Sequence, residues 1–154
     1  MAAEADDRYM GYADRDELLR FLNELLEAER AGARLAIRMS IAAADADAKN
    51  LATVIYRDEA HWCGVLAKAI RSLDARPSSR VGAFYDKAMA IANVMDRLAF
   101  LNRGQGWVVR TIRDMLPKIR DGSLHAALGE MLRRHETNIA LVNSMLPRPP
   151  SASA

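Results

Sequence analysis

The sequence predicts an all-α protein, a single bundle of four long helices, and three observations carry that prediction. Half of its 154 residues (51%) are hydrophobic while aromatics make up only 6%, with Ala, Leu, Arg and Met abundant, a composition of packed helices rather than sheets. Apolar residues recur at helical spacing through four long segments. The eight Gly and five Pro fall mostly between those segments. A chain of this length can bury a real core and needs no second domain.

The elements follow in order. Residues 1–13 are acidic, carry no apolar run, and are expected to be a flexible N-terminus, neither signal peptide nor membrane anchor. Asp14, with Glu17 three residues on, starts a capping box, so the first helix is expected over about 15–43 with Leu18, Phe21, Leu22, Leu25, Gly32, Ala36 and Met39 on one face. Glu29 points with them. Asp45 or Asp47 can cap a second helix over about 48–73, whose stripe is Leu51, Val54, Ile55, Trp62, Val65 and Ala69. Asp58 lies at its centre, flanked by Glu59 and His61. The Pro-, Ser- and Gly-containing stretch 74–82 is a loop, and a third helix is expected over about 83–116. Pro117 and the DGS at 121–123 separate it from a fourth over about 123–146, where Leu124, Leu128, Met131, Leu132, Ile139 and Val142 surround His135. The domain thus spans 14–146, and the Pro-rich tail 147–154 is expected to be disordered.

The third predicted helix is apolar on two faces. Phe84, Ile91, Met95, Leu98, Val109, Ile112 and Leu116, with Asn102 and Gln105, form one; Met89, Phe100 and Trp107 form the other. A second apolar face suits a contact with another copy of the chain, so a homo-oligomer through Met89, Phe100 and Trp107 is expected. Gly104 and Gly106 sit mid-helix at a cost of about 1 kcal/mol each relative to Ala, which suits a close helix approach or a kink.

Function classes narrow by charge and motif. The 22 basic and 20 acidic residues nearly cancel, so a formal charge of +2 gives no long-range attraction to nucleic acid or anionic lipid. The single cysteine, Cys63, forms no internal disulfide and suits a reducing, cytoplasmic setting. No nucleophile elbow, P-loop or C-x-x-C motif is present, and HETNI at 135–139 lacks the second histidine of a zinc-protease motif. What stands out is four polar residues at the midpoints of apolar stripes: Glu29, Asp58, His61 and His135. Midpoints of packed helices share one level, so these side chains are expected to meet in the core. Buried charge there is costly unless a cation, a hydrogen-bond network or a proton offsets it. Carboxylates with imidazoles are the ligand set of iron, manganese or zinc. On this reading Glu29, Asp58, His61 and His135 hold one ion, with Asn102 or Gln105 orienting water. The competing reading is a metal-free polar layer, with Glu29 paired to His135, in a scaffold or interaction module.

These interior groups resemble the ferritin-like di-metal carboxylate bundle, in which two helices each give a Glu and two each give E-x-x-H. Glu29 matches the first Glu, and Asp58 with His61 matches one motif as D-x-x-H. His135 matches the histidine of the other, but Leu132 stands where its Glu would be. The third helix offers Leu98, Asn102 and Gln105 at the right level, with Asp96 facing away. With two bridging carboxylates missing, the resemblance implies a mononuclear or vestigial site rather than di-iron oxygen chemistry. The segments LLRFLNELLEAERAGARLA (18–36), RDEAHWCGVL (57–66), GAFYDKAMAIANVMDRLAFLNRGQGWVVR (82–110) and HETNI (135–139) resemble an uncharacterised bacterial ferritin-like family, a domain of unknown function. That resemblance implies a bundle with a long crossover after the second helix, although 74–83 extended spans only about 33–36 Å.

Overall fold

In the computed structural model, which describes residues 2–147, the chain folds into an all-α bundle, and no strand occurs among the described residues. A short helix α1 (Ala2–Tyr9) precedes the four long ones. Helix α2 (Arg15–Ala42) starts where Asp14 accepts a hydrogen bond from the Glu17 amide at 2.8 Å. Helix α3 (Ala46–Ser72) starts in the same way at Asp45, capping Ala48 at 2.9 Å. After the short helix α4 (Phe84–Met89) come α5 (Val94–Met115) and α6 (Gly122–Met145), capped by Asn93 and Asp121. Each capping oxygen satisfies an amide that the first helical turn leaves without a partner. Ahead of Asp14, Arg8 pairs with Asp14, and Arg120 pairs with Asp7. The tail expected to be disordered lies, from Arg148 onward, outside the described residues.

The stretch expected to be one helix over 83–116 is two, α4 and α5. The break follows from competition for backbone groups. Asn93 accepts from the Asp96 amide at 3.0 Å, and the Arg97 guanidinium donates to the Ile91 carbonyl at 2.6 Å, so both new ends are satisfied.

That break also resolves the direction of the helices. The Ala13 amide donates to the Lys118 carbonyl at 2.8 Å and Arg15 donates to the Leu73 carbonyl at 2.7 Å, which brings the far ends of both α5 and α3 to the start of α2. Helices α3 and α5 therefore run parallel to each other and opposite to α2, while α6 returns antiparallel to α5. The order is up, down, down, up. A 28-residue helix such as α2 is roughly 42 Å long at about 1.5 Å per residue, more than the segment 74–83 can cover. The connection instead runs from Leu73 to Asn93, using α4 as part of its length. It lies along α2, where Ser78 donates to Glu27 at 2.6 Å and Arg30 donates to the Arg80 carbonyl at 2.6 Å and the Ser78 carbonyl at 2.8 Å.

The core is in two parts. One cluster joins Phe21, Leu22 and Leu25 to Leu66, Ile70, Ile112 and Leu128; the other joins Leu35 and Met39 to Leu51, Ile55, Leu98, Leu101 and Val142. Between them, at the waist, every long helix contributes a buried polar residue: Glu29, Glu59, Gln105 and His135. Of the second apolar face, Met89 and Trp107 are exposed, whereas Phe100 is half-buried and stacked on Phe84 with ring centroids 4.7 Å apart. Phe84 reaches α5 because Gly104 has no side chain: a Cβ there would lie 2.7 Å from the ring. No helix among the described residues is long and apolar enough to cross a membrane.

Candidate metal centre

Helix α2 presents Glu29 between Leu26 and Leu35, so packing on both sides drives its carboxylate into the waist, where it is 1% exposed. Helix α6 presents His135 opposite it, also 1% exposed, with Nε2 2.7 Å from Glu29 Oε1. The other ring nitrogen, Nδ1, lies 2.9 Å from the Met131 carbonyl. A carbonyl only accepts, so Nδ1 donates to Met131; a carboxylate accepts as well, so the protonated ring donates from Nε2 to Glu29, and loss of that proton frees the Nε2 lone pair for an ion. Burial favours the uncharged ring, but the Glu29 charge and hydrogen bond, the Met131 carbonyl and Asp58 together outweigh it and raise the His135 pKa.

The third member is Glu59, from α3, 3% exposed. It fits only because position 32 is glycine: a Cβ there would stand 2.0 Å from Glu59 Oε2 and 2.7 Å from its Cδ. Burial, then the charges of Glu29 and Asp58, hold the Glu59 carboxyl well above the usual carboxylate range. One ligand atom from each of Glu29, Glu59 and His135 lies within 4.8 Å of the others. Two bonds of roughly 2.0–2.2 Å place ligand atoms no more than about 4.4 Å apart across an ion, so small side-chain rotations close this set around one.

Two carboxylate oxygens, Glu29 Oε2 and Glu59 Oε2, are buried without a hydrogen-bond partner among the described residues, as are Gln105 Oε1, Asn138 Oδ1 and Trp62 Nε1. Unpaired buried carboxylate oxygens are costly, and a cation or a proton is the compensation such a layer lacks. The donor set, two oxygens and one imidazole nitrogen, suits iron, manganese or zinc. With both acids ionised and the ring neutral its charge is −2, equal and opposite to that of a divalent ion.

The structure brings Glu29 and His135 together as the sequence led one to expect, and treats the other two candidates differently. Asp58 is at the rim, its Oδ2 accepting from Arg134 Nε at 2.8 Å and from Asn138 Nδ2 at 2.8 Å. His61 is exposed, its ring edge-on to Trp62 at 4.7 Å, and does not join the group. The reason is phase. The buried line of α3 is Leu51, Ala52, Ile55, Glu59, Trp62, Leu66 and Ile70, so the inward residue at the waist is 59. One position is about 100° of rotation, enough to carry Asp58 to the edge, and 61 lies two positions beyond 59 on the outer side. Glu59 was findable from spacing, four residues after Ile55 and three before Trp62. Cys63 is a free thiol that burial, and next the Glu29 charge, push up to about 12, which leaves it an unreactive packing residue.

A cavity of about 250 Å³ adjoins the group, with Glu29, Gly32, Glu59 and Gln105 in its inner wall and Val81 to Phe84 of the crossover and Trp107 around it.

The family described as "Domain of unknown function (DUF6306)" matches residues 16–144. No curated protein and no solved structure matches the chain.

Proposed function

We propose that this chain, which belongs to the DUF6306 family, is a metal-binding helical bundle in which Glu29, Glu59 and His135 hold a single transition-metal ion, iron, manganese or zinc. The observation that carries the reading is the pair of buried, unpartnered carboxylate oxygens beside an imidazole whose Nε2, 2.7 Å from Glu29, becomes a ligand atom once it gives up its proton. The remaining residues act on those three. Met131 fixes the ring tautomer and orientation, the outer-shell role such carbonyls have at metal sites. Gly32 admits the Glu59 carboxylate, and Arg134 with Asn138 holds Asp58 at the rim, one layer out. When bound, the ion supplies Lewis-acid or redox chemistry at the edge of the cavity.

The crossover order supports a place for this chain among ferritin-like bundles, which use one long crossover connection. Its donors differ from the di-metal set. Trp62 follows Glu59 at the third position where a histidine would stand, Leu132 precedes His135, and α5 offers Gln105 in place of an acid. Such a set serves one ion.

Calorimetric titration of untagged protein with Zn(II) and Mn(II) tests the reading. Saturable binding is expected in the parent, weakened by roughly a hundredfold or more in Glu59→Gln and in His135→Ala, since even outer-shell partners cost 10–100-fold. A folded parent that takes up neither ion removes the proposal and leaves a metal-free polar layer.

A further inference from the structure

We propose that the cavity beside Glu59 and Gln105 binds a small, neutral, mainly apolar molecule carrying one hydrogen-bond-donating head, a hydroxyl in the simplest case. The inference rests on the metal reading for the position of that head and names the class of ligand the same site takes.

The volume comes from missing side chains. Ala28, Gly82 and Ala83 line the cavity with little or no side chain, and the crossover backbone passes over it at Gly82, whose φ of +73° needs a glycine and where nothing lies within 4 Å of an added Cβ. At about 250 Å³ it exceeds the engineered apolar cavity of about 150 Å³ that takes up benzene. Phe84, Leu101 and Val108 supply apolar wall, and Trp107, 39% exposed, stands where the cavity meets solvent. Such lining holds the body of a ligand by area and selects its head by a few polar groups.

Those polar groups are of one kind. Glu29, Glu59 and Gln105 line the cavity, are all at least nine-tenths buried, and each has an oxygen without a partner. The Gln105 amide nitrogen is already turned to Asn102 Oδ1 at 3.4 Å, which leaves its Oε1 as the acceptor. With the two carboxylates given to the ion, Gln105 Oε1 is what a ligand head meets, and it accepts only. A head that donates satisfies it; one that only accepts leaves both groups unpaired. A carboxylate or phosphate head would bring further negative charge beside Glu29 and Glu59. An ammonium would find no free carboxylate once the ion is bound, and a buried charge without a partner is strongly disfavoured.

Cyclohexanol, its methyl ether, cyclohexanecarboxylate and cyclohexylammonium share one body and differ in the head, so they are the probes. Each is titrated into the full-length protein, metal-free and Zn(II)-loaded, with binding read by calorimetry and zinc content measured separately. Cyclohexanol is expected to bind the zinc-loaded protein about tenfold more tightly than the ether, and the charged probes more weakly than either. Gln105→Leu removes the preference for the alcohol over the ether and leaves the ether's binding in place. Ala28→Phe, which fills the cavity from α2, abolishes binding of all four; Ala83→Trp, on the exposed crossover, does the same if Ala28→Phe does not fold. No cyclohexanol binding by a folded, zinc-loaded parent overturns the proposal while the metal reading stands. Absence of zinc uptake with cyclohexanol still bound sinks the metal reading alone. Equal binding of alcohol and ether refutes the role of Gln105.

Discussion

Replacing Gly32 by alanine adds a single carbon, and the structure says where it goes. It would lie 2.0 Å from Glu59 Oε2, 2.7 Å from Cδ and 2.8 Å from Oε1, all far inside contact distance. Glu59 is 3% exposed, so the overlap is relieved only by turning its carboxylate into the adjoining cavity, away from Glu29 and His135, or by displacing the facing helices. Overpacking of that kind costs about 1–3 kcal/mol, against a gain of about 1 kcal/mol when a helix-interior glycine becomes alanine. The net expectation for Gly32→Ala is a loss of about 0–2 kcal/mol. Gly64 provides the control, because it lies in mid-helix in α3, is exposed, and has no atom within 4 Å of an added Cβ. Gly64→Ala should gain the propensity term alone, about 1 kcal/mol, which for a chain of this size is a rise in Tm of about 2–4 °C. Urea denaturation of the metal-free protein, read as a shift in midpoint at constant slope, measures both. A third variant closes the argument: in a Glu59→Ala background the collision has no partner, and alanine at 32 should then behave as alanine at 64 does. If Gly32→Ala stabilises the parent as much as Gly64→Ala does, Glu59 is not seated against Gly32 and the site as described is wrong.

Protonation gives a second prediction. The pKa values of Glu59 and His135 are both raised in the folded chain, so each contributes stability that is complete below its ordinary value, 4.5 or 6.5, and is lost as pH rises through the folded-state value. Metal-free protein should therefore weaken from weakly acidic to neutral pH in urea titrations, and Glu59→Gln should remove the Glu59 part of that slope; a parent whose midpoint is flat with pH contradicts it. Zinc-loaded protein should show the opposite slope, because ions bind the deprotonated ligands. His61→Ala should leave zinc affinity within about twofold of the parent, as expected of an exposed residue outside the site, and a large loss would restore His61 as a ligand. If exposed Trp107 and Met89 meet a second copy of the chain, Trp107→Glu should halve the mass in solution; an unchanged monomer in both proteins refutes that contact.

The bundle was legible in the sequence because its signals are local. Asp14 with Glu17, Asp45, and the DGS at 121–123 mark helix starts through one hydrogen bond each, and the structure places caps at all three. Glu29 and His135 were legible for a related reason: each interrupts a well-phased apolar stripe, and nothing but an inward direction satisfies the neighbours on both sides. Glu59 was missed in spite of its spacing from Ile55 and Trp62, because Val54, Val65 and Ala69 drew the α3 stripe towards Asp58, whereas Val54 is exposed and Leu66 and Ile70 are fully buried. A one-residue error in phase moves a carboxylate from core to rim. The resemblance implied a crossover, but the helix break that gives it its length was hidden for another reason. Residues 90–93 contain no proline or glycine, and the helix ends there through Asn93 and Arg97, contacts whose strength depends on the packed bundle.

The central claim is most directly tested by anomalous diffraction from crystals of the untagged protein grown with Mn(II) or Zn(II). The account predicts a single strong peak bounded by Glu29, Glu59 and His135, with none at His61. Crystals of the folded protein showing no anomalous density at the waist, or a peak placed away from those three residues, would contradict it.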